Sequence, residues 1–84
     1  MILLLQKNIK RTFELGHIKS STLTIKKDNK IVLDFIDNNN SVFSLATHKE
    51  QEKQKEFVIF DSAVNTLEKI GIYNFSVINK RNEV

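Results

Sequence analysis

The stretch Phe57 to Val77, FVIFDSAVNTLEKIGIYNFSV, restricts the possible folds most, because it reads as strand, helix and strand with both junctions marked. Phe57, Val58, Ile59 and Phe60 are β-branched or aromatic in a run too short for a helix. Asp61 is the expected N-cap: its carboxylate can accept from the free N–H groups of the next turn, and its charge suits the positive end of the helix dipole. Ala63, Val64, Leu67 and Ile70 recur at the 3.6-residue period, Lys69 falls in the last turn, and Gly71 follows where a left-handed residue ends a helix. The spacing predicts a helix over residues 62–70, then a half-buried strand with Phe75 and Val77 on its inner side.

Upstream, the period is two. Leu23 and Ile25 alternate with Thr22, Thr24 and Lys26, and Ile31, Leu33 and Phe35 alternate with Val32 and Asp34, so two strands present apolar sides to one core. Asp28 and Asn29 between them tolerate positive φ and suit a tight hairpin turn. After a second polar break at residues 37–40, Val42 to Thr47 continues the meander with Phe43 and Leu45 inward. Residues 48–56, HKEQEKQKE, contain no apolar side chain and form either a hairpin tip or a loop. At the start, Ile2 to Leu5 is expected as a strand with an irregular or helical continuation to Leu15, and residues 79–84 as a polar tail.

A chain of 84 residues suits one small domain with one core, which the 40% hydrophobic content can fill. The expected class is α+β: an antiparallel sheet of four or five strands with the short 62–70 helix packed on one face. Val32, Val42, Val58 and Ile78 fall on the opposite phase, and one short helix cannot cover two faces. Either the N-terminal segment or a partner chain covers the second face, and a partner would make the protein a homodimer or a binder of another protein. With Tyr73, which follows the helix stop and carries a polar handle, these residues form the expected protein interface.

Reactive groups are sparse. The chain has no Cys, which excludes disulfides and thiolate metal sites and fits a reducing cytoplasm. His17 and His48 have no carboxylate at metal-ligand spacing, and the two glycines, Gly16 and Gly71, are too few for a phosphate-cradling loop. No paired-carboxylate spacing stands out, so no enzyme, cofactor, metal or small-molecule substrate is expected. The apolar run Ile2 to Leu5 is far too short to span a bilayer and is followed by Lys7, Lys10 and Arg11, so neither a membrane nor an export signal is expected.

Charge is uneven. Residues 1–30 hold seven basic side chains against two acidic ones, while residues 31–84 hold six against eight. An ordinary lysine-rich solvated surface gives the same counts, but if the excess faces phosphate, then Lys7, Lys10, Arg11, Lys26 and Lys27 are the nucleic-acid contacts.

Thr47, Lys49, Lys53, Phe57, Phe60, Asp61, Ala63, Leu67, Gly71, Phe75 and Val77 form a pattern of strand end, basic turn, Phe-x-x-aromatic-Asp-x-Ala, Leu, Gly and Phe-x-Val. In this C-terminal half the chain resembles the small ParC-type partition-associated proteins of plasmids and integrating elements, with Lys49-Glu50 standing where that family carries an arginine-glycine turn. The resemblance implies an accessory of plasmid or mobile-element maintenance that acts by binding. The residues lead to the same expectation, a non-catalytic protein-binding module, with a nucleic-acid-binding accessory as the alternative.

Overall fold

Among the described residues seven elements follow one another: β1 (Ile2–Leu4), α1 (Gln6–Glu14), β2 (Ile18–Ile25), β3 (Ile31–Asp37), β4 (Val42–Leu45), α2 (Phe60–Ile70) and β5 (Ser76–Asn79). The structure, a computed structural model, describes residues 2–48 and 52–82. The fold is α+β, and the five strands form one sheet in the order β1-β4-β3-β2-β5. Strands β2, β3 and β4 make the antiparallel meander that the period-two pattern predicts, with Leu23 opposite Leu33 and Phe35 opposite Phe43. The turn between β2 and β3 is built as its residues suggest: Asn29 has φ +68°, and Asp28 Oδ1 accepts from the Lys30 amide at 3.1 Å.

Both edges depart from the expected antiparallel sheet. Strand β1 pairs with β4 in parallel and β5 pairs with β2 in parallel, so the sheet is mixed. The cause is connectivity, because each edge strand is joined through a helix to a strand of the same direction, and a helical crossover returns the chain to the end where it began. A second helix is therefore present. In α1, Ile9 is fully buried and Phe13 packs against the core, and the segment expected to be irregular or helical resolves as a helix.

Both helices lie on the same sheet face. Ile9 of α1 and Ala63, Leu67 and Ile70 of α2 share one buried cluster with Leu23, Leu33, Phe35, Phe43 and Leu45. The Phe35 and Phe43 rings stack at 5.6 Å between centroids in its middle. Gly71, at φ +108°, closes α2, and the Ile72 amide donates to the Leu67 carbonyl at 2.9 Å.

Several boundaries differ from the sequence reading. Strand β2 begins at Ile18, four residues before the alternation becomes clear, because its first half lies at the rim with Lys19 and Ser20 exposed. Of the run 57–60 only Phe57 pairs, exchanging two backbone hydrogen bonds of 2.8 Å with Ile31. Strand β4 pairs only with Asp34, Phe35 and Ile36 of β3, so the first residues of β3 have a free side on which Phe57 bridges Ile31. Val58 and Ile59 turn the chain away, and Phe60 begins α2 with 42% of its surface exposed. Ile59, not Asp61, is the residue before the helix, and no side chain caps it; Asp61 lies in the first turn, where it acts through its charge alone. Val77, expected inside, is 49% exposed because β5 is an edge strand, and Asn79 belongs to that strand instead of the tail.

The helix-free face is polar along its central row and partly covered, since Gln54 bridges Ala46 and reaches Asp34. Its central row, one residue from each strand, is Leu3, Ser44, Asp34, Thr22 and Ser76. Asp34 accepts from the Ser44 hydroxyl and, at 3.5 Å, from the Gln54 amide, so the fully buried Ser44 is satisfied within the row while Thr22, Asp34 and Ser76 keep contact with water. Val32 lies in the next row, beside Thr24 and Ile78, and is only 5% exposed. It offers a partner little surface. Val42 and Ile78 do lie on this face, half exposed, but on different strands and different rows. The N-terminal segment covers the opposite face, not this one, and the face does not by its composition demand a partner.

Candidate functional site

Strands β1, β2, β4 and β5 run in one direction and β3 runs against them. The carboxyl ends of four strands therefore gather at one end of the sheet, and α1 and α2 both start there. Two contiguous hollows of about 550 and 530 Å³ open at this end and share Leu5, Gln6, His48 and Lys69. Together they form a groove.

Each wall follows from a local feature of the chain. Along α2, Ser62, Asn65, Thr66 and Lys69 recur at i, i+3, i+4 and i+7, giving a polar stripe beside the buried Ala63, Leu67 and Ile70. The opposite wall is the start of α1, with Gln6, Lys7 and Lys10. Leu45, Ala46 and Phe57, all nearly buried, supply an apolar lining, and Val58 and Ile59 stand at the rim, 78% and 59% exposed. With Phe60 they make three consecutive large apolar residues in contact with water.

The groove is electropositive. Lys7, Lys10 and Lys69 form no ion pair among the described residues, and Lys55 holds its ammonium 5.4 Å from the centre of the Phe57 ring. Glu56, the carboxylate among the lining residues, is committed elsewhere: it bonds the Lys26 ammonium and lies 3.8 Å from that of Lys30. The hydrogen bond from Lys26 holds the Glu56 carboxyl below its usual range, and the same bond raises Lys26 above the usual lysine range.

The residues singled out from the sequence are scattered. Lys7 and Lys10 reach the groove, Arg11 lies in the last turn of α1, and Lys26 and Lys27 occupy the turn after β2. Val58 is at the groove rim. Tyr73, 70% exposed, lines a shallow hollow with Lys19 and Ser20 where β2 begins, at the other end of the sheet. His17 precedes β2 and His48 follows β4, so the two imidazoles also stand at opposite ends. Among the described residues no group of three or more His, Cys, Asp or Glu could hold a metal ion, and no helix is long and apolar enough to cross a membrane. Lys49, quoted for the family resemblance, lies outside the described residues.

The α2 stripe was readable, since its spacing is helical; the exposure of Ile59 and Phe60 was not, since a buried strand would have the same composition. No match is found among protein-family models, characterised proteins or solved structures.

Proposed function

We propose that the chain is a non-catalytic binding module that acts in the cytoplasm by docking a protein partner in the groove beside α2. The observation that carries this reading is the exposed run Val58, Ile59 and Phe60, whose first two residues stand at the groove's rim. Adjacent large apolar side chains gain about 25 cal/mol per Å² when a partner removes them from water. The groove's chemistry also describes the docked segment: apolar side chains against Leu45, Ala46 and Phe57, and carboxylates toward Lys7, Lys10 and Lys69. The separation of the two imidazoles supports a role in which no bonds are made or broken. Given the likeness to partition-associated proteins, such a module would serve as a plasmid or mobile-element accessory, or as an inhibitor occupying a partner's surface.

The test compares the native chain with Val58→Asp/Ile59→Asp and with Lys69→Glu, each immobilised and exposed to extract of the cells that carry the gene. Because the substituted side chains are exposed, melting temperatures should stay close to native. One protein held by the native chain, lost from the double variant and weakened by Lys69→Glu, is the expected outcome. A dimer in light scattering that the double variant dissolves would make the partner a second copy of this chain. A monomer whose captured proteins are unchanged by both variants would refute the reading.

A further inference from the structure

A second basic surface lies beside the groove, at the β2–β5 side of the same sheet end, and the reading above leaves it unused. Its position follows from the parallel pairing of β5 with β2, in which Ile25 is opposite Asn79 and the Lys80 amide donates to the Ile25 carbonyl at 2.8 Å. That bond sets Lys80 and Arg81 against the β2–β3 turn, which carries Lys26, Lys27 and Lys30. Five cations from segments about fifty residues apart in sequence thus meet on three adjacent strands. Among the described residues their acidic neighbours are Asp28 of the turn, whose Oδ1 accepts from the Lys30 amide, and Glu56 of the loop before α2, which bonds Lys26 and approaches Lys30. Among the described residues a surplus of three positive charges remains. The Arg81 Nε–H donates to Asn79 Oδ1 at 3.1 Å, which fixes the base of the guanidinium and leaves its outer nitrogens toward solvent.

We infer that this ridge is a docking surface for a nucleic-acid phosphate backbone. Like charges gathered with too few counterions raise the energy of the free protein, and a polyanion lowers it by replacing the condensed cations on its own backbone. The ridge segments, Lys26 to Lys30 and Asn79 to Asn82, contain no apolar residue. Protein interfaces depend on apolar anchors, whereas backbone contacts use Lys, Arg and Asn without them. Asn29 and Asn79 supply amides among the cations. Three strands are roughly 10 Å across at about 4.8 Å spacing, which matches about three phosphates along one strand of a duplex at 3.4 Å each.

The test is fluorescence anisotropy of the full chain with labelled mixed-sequence oligonucleotides, single-stranded and duplex. With about three phosphates neutralised, binding should weaken roughly 40-fold for duplex and roughly 20-fold for single strand between 50 and 200 mM salt. The relative affinity for the two oligonucleotides at 50 mM salt identifies the form engaged. Lys27→Glu/Lys80→Glu should weaken binding about tenfold or more at 50 mM salt. Arg11→Glu/Lys19→Glu makes the same net-charge change away from the ridge and should have a much smaller effect, with melting temperatures checked for both. Val58→Asp/Ile59→Asp should leave oligonucleotide binding intact, which separates this surface from the groove. The inference is overturned by no binding at 50 mM salt, by equal losses in the two charge-reversal variants, or by retention on phosphatidylserine vesicles without oligonucleotide binding.

Discussion

At the scale of single residues, two glycines with positive φ separate backbone strain from steric contact. Gly16 has φ +76° and an added Cβ would meet no atom within 4 Å, whereas at Gly71, with φ +108°, it would lie 3.0 Å from Phe13 Cε2. Gly16→Ala should therefore cost about 1 kcal/mol and Gly71→Ala about 2 to 3 kcal/mol. Chemical denaturation of both variants measures the gap; equal losses would mean that Phe13 does not pack over the end of α2. Glu56 gives a pH signature. Its folded pKa lies below 4.5, so its contribution is complete above that value and disappears as pH falls through the folded value. Lys26 lies above 10.5, so its part is complete below 10.5 and disappears as pH rises through its folded value. Glu56→Gln should lower the melting temperature at neutral pH and low salt, and the difference from native should vanish in strong acid and shrink with salt, because the pair is solvent-exposed.

At the scale of elements, α2 is the strongest test of the packing. Leu67 has no exposed surface and sits between Ala63 and Ile70 in the common core. Leu67→Ala should destabilise by about 2 to 5 kcal/mol, read as a lower denaturation midpoint. An unchanged midpoint would place the helix with the wrong side inward. Most of this element was legible: the stripe Ala63, Leu67 and Ile70 and the stop at Gly71 stand where periodicity and φ require. Its start was not, because Phe60 and Asp61 are both acceptable on either side of a helix boundary, and the boundary was decided by where Phe57 meets Ile31. The meander was legible for the same reason as the helix, since Leu23, Leu33, Phe35 and Phe43 repeat with the pleat. Helix α1 was half legible: Ile9 and Phe13 fit a helical stripe, but the run from Ile2 to Leu5 hides the switch from strand to helix at Leu5.

At the scale of the whole molecule, partners of the edge strands are the part that a local reading does not reach. Nothing in Ile2 to Leu4 says that it will lie beside Phe43, Ser44 and Leu45, and nothing in Ser76 to Asn79 points to Thr22. Those pairings decide the site. They bring Lys80 and Arg81 to the same end as Lys26, Lys27 and Lys30, whereas the sequence suggested only that the first 30 residues carry the excess. They also explain why Arg11 separates from Lys27, since a helix of nine residues carries it toward the other end.

The parallel union of β2 with β5 has a consequence during synthesis. A ribosome releases residues 18–25 long before residues 76–79, so for most of translation the meander has one bare flank offering unpaired amides and carbonyls to any neighbouring chain. Premature termination anywhere before Ser76 would leave that flank permanently open, and such fragments should be sticky and short-lived even where every buried residue of the centre has already been made.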